Sequence, residues 1–449
     1  MTHRRAGSGR REHTGRSSRV GTPGAGARGV ALEAVRRVID EGAYSNRVVP
    51  TLLGRSGLDR RDRAFATDLA YGTLRHLLPL DRALGEAASR PVERITDDAR
   101  NALRLGAYQL LFAGVPPHAA VDETVALVGP KARGFANAIL RRLATAPPTP
   151  VVGHDDAAIA ARTGLAPWAV RELRRMLPSD ELELAANAFA SQGPLTLRVN
   201  TCVASIEELT ETLRATGASP AQGSVDPGCL LLRGGDPTTL PGFEQGWFAV
   251  QDQASAFVVR VLDPEEGDRV LDVCAAPGGK ALEAACGAGP SGMVVAADVH
   301  PVRIQMIARE AERLRLRVLP VAQDATRPAV AGEFDRVLVD APCSGIGSAR
   351  RRPELLWRVP KDDLSRLARR QVAIAATAAE RLRVGGRLVY SVCTFPRAET
   401  DAACDALLRH RPDLSPVPTP GPDGEAVRHR LWPHRHGCDG MFVAAFERR

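Results

Sequence analysis

DRVLDVCAAPGGK, residues 268–280, is the stretch on which the fold of this chain turns. An alternating apolar run, Val270–Val273, enters a loop of small residues, Cys274, Ala275, Ala276, Pro277, Gly278 and Gly279. Lys280 then leads into an alanine-rich stretch of helical character, 281–288. Strand, glycine-bearing loop and helix in that order open a nucleotide-type crevice in a doubly wound sheet. Gly278 and Gly279 remove side chains where a backbone approaches a ligand closely. A phosphate loop needs a first glycine near position 274 and a hydroxyl after the lysine, but Cys274 and Ala281 stand there. The dinucleotide pattern G-x-G-x-x-G is also absent. The expected ligand is therefore an adenosine derivative without a pyrophosphate, and S-adenosylmethionine fits.

Downstream, strands and helices alternate to the end of the chain, from about residue 251. Met293–Asp298 reads as a buried strand ending in a carboxylate, and Asp298 lies 19 residues past Gly279. That is close to the ~20 at which an acid meets ribose hydroxyls. Residues 317–321 form a third strand followed by Gln323 and Asp324, and Phe334–Asp340 a fourth, again closing on an acid. One such aspartate is more often a turn or cap residue. Three in the same register, Asp298, Asp324 and Asp340, point into one crevice and suit a sulfonium better than a phosphate.

Two cysteines belong to the same edge. Cys343 follows the fourth strand in Asp340-Ala341-Pro342-Cys343-Ser344-Gly345, and Cys393 ends the fifth, which starts at Gly386. The other cysteines, Cys202, Cys229, Cys286 and Cys404 among them, read as small buried hydrophobes. All eight are expected as free thiols, since they sit singly and without framework spacing. No C-x-x-C pair suggests zinc, and His434-Arg435-His436-Gly437-Cys438-Asp439 lacks ligands spaced around a turn, so no metal is expected. A thiol pair beside a methyl donor has a chemical use. Carbon 5 of cytosine is not nucleophilic in the aromatic ring, but a thiolate adding at carbon 6 turns it into an enamine carbon that accepts a methyl group. The thiol needs a lowered pKa, and Asp340 is placed to hydrogen-bond the cytosine edge and help protonate N3.

The remainder of the chain frames this half. At 449 residues it has room for about two to four domains. No apolar run is long enough for a membrane span and no signal-peptide core opens the chain, so a soluble, cytoplasmic protein without a membrane partner is expected. Basic residues outnumber acidic ones 60 to 52, but residues 1–28 alone hold seven arginines and one glutamate. They read as a disordered basic tail, and outside it the charge excess is too small to argue strongly for nucleic acid. Residues 29–146 look all-helical, with apolar residues at helical spacing in 30–39 and 65–74. Arg75, Arg141 and Arg142 read there as solvated helix faces. Ala-Pro-Pro-Thr-Pro, 146–150, is a stiff linker. Residues 147–250 are expected to hold this linker and a small α+β subdomain, with helices at 168–176, 181–190 and 206–216 and a strand at 195–200. Arg198 and Asn200 on that strand, and Arg350 and Arg351 in the loop after Cys343, are candidate RNA contacts, although an edge strand and a solvated arginine loop explain them too.

The pieces Asp62–Phe65, Tyr71–Arg75, Leu103–Leu110 and Gly134–Arg142 together resemble the helical, RNA-binding domain of NusB. Asp272–Lys280, Asp340–Gly347 and Tyr390–Phe395 resemble, in order, the motifs of the RsmB/Sun family of RNA cytosine-5 methyltransferases. The resemblance implies a Rossmann-like methyltransferase sheet over 251–449, preceded by the α+β subdomain and the NusB-like helical domain, in an α/β protein. It implies S-adenosylmethionine contacts from Cys274, Ala275, Ala276, Pro277, Gly278, Gly279, Lys280, Asp298, Asp324 and Asp340. It makes Cys393 the nucleophile and has Cys343 assist product release, an order the residues alone leave open. The implied substrate is a cytosine of small-subunit rRNA, naked or in an assembly intermediate, and a monomer is expected. Ala281, Val392 and Thr400 depart from the family pattern beside functional positions without removing a reacting group. Two other readings stay open: a DNA cytosine methyltransferase attacking through Cys343, and a non-catalytic RNA-binding protein with a vestigial fold.

Overall fold

The structure is a computed structural model that describes residues 26–327, 329–358 and 363–449. The tail assignment falls almost entirely outside them. Its last residues do not: Ala27 and Arg28 already belong to a helix, Ala27–Ile39, and Arg28 Nε donates to Gln109 Oε1 at 2.8 Å. Among the described residues no helix is long and apolar enough to cross a membrane.

Helices Ala27–Ile39, Ser45–Arg55, Arg60–Arg75, Leu77–Ala88, Asp97–Leu111, Pro117–Ala126 and Arg133–Thr145 form the N-terminal bundle. Its core contains Leu69, Leu80, Leu84, Leu103 and Leu140, all fully buried. Burying each leucine is worth ~1.5–3 kcal/mol, which outweighs differences in helix propensity of less than ~1 kcal/mol per residue. Gly72 is dictated by packing, because a β-carbon there would lie 1.9 Å from the Tyr108 ring. Arg141 is exposed as expected, its Nε donating to Asn137 Oδ1 one turn back in the same helix, whereas Arg75 is buried and donates to the Arg350 carbonyl at 3.3 Å. Arg142 reaches the Ala87 carbonyl.

Three helices follow the linker, Asp156–Thr163, Pro167–Arg174 and Leu182–Ala190. They share a core with Ile346, Leu356, Phe395 and Trp432 of the C-terminal half rather than with the small sheet. That sheet is antiparallel, with strands β1 (Leu195–Val199), β2 (Ala221–Gln222), β3 (Cys229–Leu232) and β4 (Phe248–Val250) in the order β2-β3-β1-β4. Leu197, Leu230 and Phe248 pack with Leu209 and Leu213 of helix Ile206–Ala215. Ser205 and Glu208 close that helix's N-terminus as a reciprocal capping box.

The large sheet comprises β5 (Arg269–Asp272), β6 (Met293–Asp298), β7 (Leu319–Ala322), β8 (Phe334–Asp340), β9 (Leu382–Val392), β10 (Leu414–Pro416), β11 (Arg428–Leu431) and β12 (Met441–Arg448). Its order is β10-β12-β9-β8-β5-β6-β7, with β11 pairing β12; β5 to β9 run parallel and β12 runs antiparallel to β9. The chain leaves β5 toward β6 and β7, then returns to lay β8 on the other side of β5. The crevice of a doubly wound sheet opens at such a reversal, outside the carboxyl ends of the strands. Helices cover both faces, so the strands read as apolar runs such as Val294 to Ala297, all buried.

The expectation of eight free thiols is corrected by a disulfide between Cys202 and Cys286, 84 residues apart. The turn after β1 packs against helix Gly279–Ala288, a meeting of distant segments that cysteine spacing does not encode. The reading of these two as buried hydrophobes falls with it; Cys229 and Cys404 are buried free thiols.

Candidate active site

Four carboxylates end or follow the parallel strands at the reversal. Asp272 closes β5 and is buried. Its Oδ1 accepts the Cys274 N–H at 3.1 Å, while Oδ2 is buried without a partner. Burial, reinforced by the negative charge of Asp340, pushes its carboxyl up to about 7. Asp298 closes β6, is also buried, accepts the His300 N–H at 3.0 Å and lies 3.4 Å from Arg303. Asp324, two residues past β7, is exposed, and the Thr326 N–H and hydroxyl hold its carboxyl below the usual range. Asp340 closes β8 and accepts Lys280 Nζ at 2.7 Å and Ser391 Oγ at 2.9 Å.

The loop Cys274–Lys280 crosses the mouth of β5. The Ala275 N–H donates to the Ala297 carbonyl of β6 at 2.8 Å. Gly278 has φ +117°, a conformation that favours glycine, and its N–H closes a turn onto the Ala275 carbonyl. Arg303 donates to the Ala276 carbonyl at 2.7 Å, clipping the loop to the helix after β6. Burial works against the Lys280 ammonium, but the charge and hydrogen bond of Asp340 outweigh it and raise its pKa. Lys280 is therefore a fixed cation under the crevice.

The two thiols meet. Parallel pairing of β8 and β9 sets Asp340 opposite Ser391, and the loops that follow bring Cys343 Sγ within 3.4 Å of Cys393 Sγ. The Gly347 N–H donates to the Cys393 carbonyl at 3.0 Å, and a β-carbon on Gly347 would lie 2.0 Å from the Gly440 carbonyl oxygen. Only glycine lets these loops close. The Cys343 hydrogen bond lowers the pKa of Cys393; burial and Asp340 oppose it, while Arg352 and Lys280 assist. The same hydrogen bond, together with burial, raises Cys343. Both effects favour ionisation at Cys393 over ionisation at Cys343.

Asp272 and Arg303 were not singled out from the sequence as individual ligands or clips. Asp272 carries a readable signal, because it ends β5 as Asp298 and Asp340 end their strands. Glu399, whose carboxylate lies buried beside the thiol loops, left no local signal.

The four arginine and asparagine positions expected to face RNA require correction. Arg198 is buried and pairs with Gln251 at 3.2 Å and Glu283 at 3.4 Å. Asn200 is fully buried and donates to the Gly246 and Leu314 carbonyls. Arg350 donates to the carbonyls of Gly437, Cys438 and Gln192. Arg351 binds Asp252 at 2.6 Å and Asp439 at 3.1 Å. β1 lies inside its sheet rather than at the edge, and the arginine loop is folded inward, so these side chains are engaged by the protein. His434 contacts Glu181, and His436 contacts Asp423 and the Trp432 N–H.

A cationic, hydroxyl-rich adenosine ligand fits this crevice: an orphaned buried carboxylate oxygen, further acids at the strand ends and a glycine turn await donors and positive charge, not phosphate. Fold and crevice together define a Rossmann-like, S-adenosylmethionine-dependent methyltransferase. Residues 259–447 match the 16S rRNA methyltransferase RsmB/F family, residues 25–145 the NusB family, and residues 166–239 the ferredoxin-like domain of RsmF/B methyltransferases. A putative methyltransferase of Mycobacterium tuberculosis is 38% identical over 94% of this chain and 96% of its own length. The probable ribosomal RNA small subunit methyltransferase B of Bacillus subtilis is 31% identical over 94% of this chain and 98% of its own. The crystal structure of PH0851 superimposes with a TM-score of 0.81 and 25% identity, covering 94% of this chain and 99% of that one. The chain belongs to the RsmB/F family of small-subunit rRNA methyltransferases.

Proposed function

We propose that this enzyme methylates carbon 5 of a cytosine in small-subunit rRNA through a covalent adduct on Cys393. The observation that carries this reading is the polarised sulfur pair, 3.4 Å apart, beside the Lys280–Asp340 ion pair. Bound S-adenosylmethionine supplies the electrophilic methyl group. The Cys393 thiolate adds to carbon 6, which breaks the ring's aromaticity and makes carbon 5 nucleophilic. Asp340, held by Lys280 and Ser391, hydrogen-bonds the cytosine edge and favours protonation at N3. Once carbon 5 carries the methyl group, a base takes its proton, the electron pair left behind re-forms the carbon 5–carbon 6 double bond and the sulfur–carbon 6 bond breaks, expelling Cys393 as thiolate; Cys343 assists that release. The target base enters unstacked or single-stranded, and the NusB-like bundle is assigned to RNA contact.

The test is methyl incorporation from tritiated donor into small-subunit rRNA, with each reaction run on a denaturing gel. Cys393→Ala is expected to lose transfer by at least ~10³-fold, in line with removal of a nucleophile. Cys343→Ala is expected to accumulate a gel-shifted RNA adduct. An inactive Cys343→Ala beside an active Cys393→Ala reverses the two roles and favours the DNA-type chemistry.

A further inference from the structure

Two thiols 3.4 Å apart must be held in register by something other than each other. Cys343 and Cys393 sit on separate loops, and no covalent link joins them. The residue after each cysteine reaches the same buried carboxylate. Glu399 Oε1 accepts the Ser344 N–H at 2.9 Å and Oε2 accepts the Ser344 hydroxyl at 2.6 Å; the Thr394 hydroxyl lies 2.6 Å from Ser344 Oγ and 3.3 Å from Oε2. Gln371 uses both amide hydrogens here, donating to Glu399 Oε1 at 2.9 Å and to the Pro342 carbonyl at 3.1 Å, so Cys343 is gripped on both flanks. The Tyr390 hydroxyl fastens the Glu399 backbone by donating to its carbonyl at 2.7 Å. Glu399, Gln371 and Ser391 are fully buried, and Thr394 nearly so. Every contact made by the carboxylate is with a donor, the set an acceptor-only carboxylate takes.

We propose that Glu399 is a positioning residue for methyl transfer: by gripping Ser344 and Thr394 it holds the Cys343 S–H on the Cys393 sulfur. The inference rests on Cys393 being the nucleophile. The charged groups acting on the pair are Lys280, Asp340, Arg352 and Glu399. The charge of Glu399 acts on Cys343, where it disfavours a second thiolate and keeps Cys343 the hydrogen-bond donor. Cys393 gains most from that hydrogen bond, so loosening the grip raises the Cys393 pKa. A brace that merely stabilised the loops would leave thiol titration unchanged.

The experiment is the pH dependence of Cys393 alkylation by iodoacetamide, read by mass spectrometry on the full-length protein. Wild type, Glu399→Gln and Ser344→Ala are compared, each also in a Cys343→Ala background, with Tm recorded in parallel. Glu399→Gln keeps the side-chain volume but sets an amide donor against donors. It is expected to move the profile up by about one pH unit, which on the acid limb of the profile is about a tenfold slower reaction. Ser344→Ala, the milder variant, shifts it in the same direction. Neither changes the profile once Cys343 is alanine, because the coupling passes through that thiol. In methylation assays kcat falls with the thiolate fraction while KM for RNA stays within about twofold. A lower Tm with an unmoved profile in both variants overturns the proposal. Methylation that survives Cys393→Ala removes the nucleophile assignment while leaving the alkylation result to be judged by itself.

Discussion

At the scale of single residues, Asp272 is a carboxylate at the mouth of the crevice whose environment opposes its charge. A fully buried carboxylate with one orphaned oxygen is raised to about 7. Its folded pKa therefore lies above the unfolded value of about 4, so stability falls as pH rises from about 4 to 7 and the unfolded chain alone gives up the proton. Asp272→Asn removes that fall, and its Tm relative to wild type is expected to be higher at pH 8 than at pH 5. Ligand binding has the opposite sign. A ligand bringing hydroxyl donors and positive charge favours the ionised carboxylate, so S-adenosylmethionine affinity in wild type is expected to rise between pH 6 and 8. Titration calorimetry should find Asp272→Asn weaker by ~10–100-fold, the worth of a hydrogen bond to a charged group, with a flat pH dependence. A steep dependence surviving in the variant would place the titrating group elsewhere.

At the scale of elements, the strands around the crevice are legible in the sequence because their signals are local. The expected bounds Met293–Asp298 and Phe334–Asp340 are those of the structure, and the third strand, expected at 317–321, lies at Leu319–Ala322. Partners of the arginine loop were not legible, because they come from the other end of the half. Arg351 joins Asp252, which caps helix Gln253–Leu262, to Asp439 before β12. Arg351→Ala removes the guanidinium that bridges the two carboxylates, and urea denaturation is expected to show a loss of ~1.5–3 kcal/mol. Since its donors already serve the protein, the salt dependence of RNA binding should keep its slope. A slope reduced by about one contact would restore Arg351 to the RNA interface.

At the scale of the whole molecule, the NusB-like bundle is fastened to the segment that continues from the Cys343 loop. Fully buried Glu354 accepts the Ser45 N–H at 3.1 Å and the Ser45 hydroxyl at 2.6 Å. The Trp357 indole donates to the Leu74 carbonyl at 3.1 Å, and Arg358 reaches the carbonyls of Val38, Gly42 and Ala43. Ser45→Ala strands one carboxylate oxygen of Glu354 in the interior, at an expected cost of ~1–3 kcal/mol in denaturant unfolding. An unchanged midpoint would show that water replaces the hydroxyl. The disulfide between Cys202 and Cys286 adds a second tie, from the small sheet to the helix behind the cofactor loop.

The sequence by itself determined the strand–loop–helix opening at 268–288, the aspartates at the strand ends, the helical character of 29–146 and the two cysteines at one sheet edge. Each depends on residue spacing within a single element or on the fact that parallel strands end on the same side. Only the tertiary structure decided that Arg198, Asn200, Arg350 and Arg351 turn inward, that Cys202 finds Cys286, and that Glu399 holds the loops of Cys343 and Cys393. These outcomes depend on which distant segments meet. A buried polar group must find partners wherever packing puts them, and the spacing of residues along the chain does not record that choice.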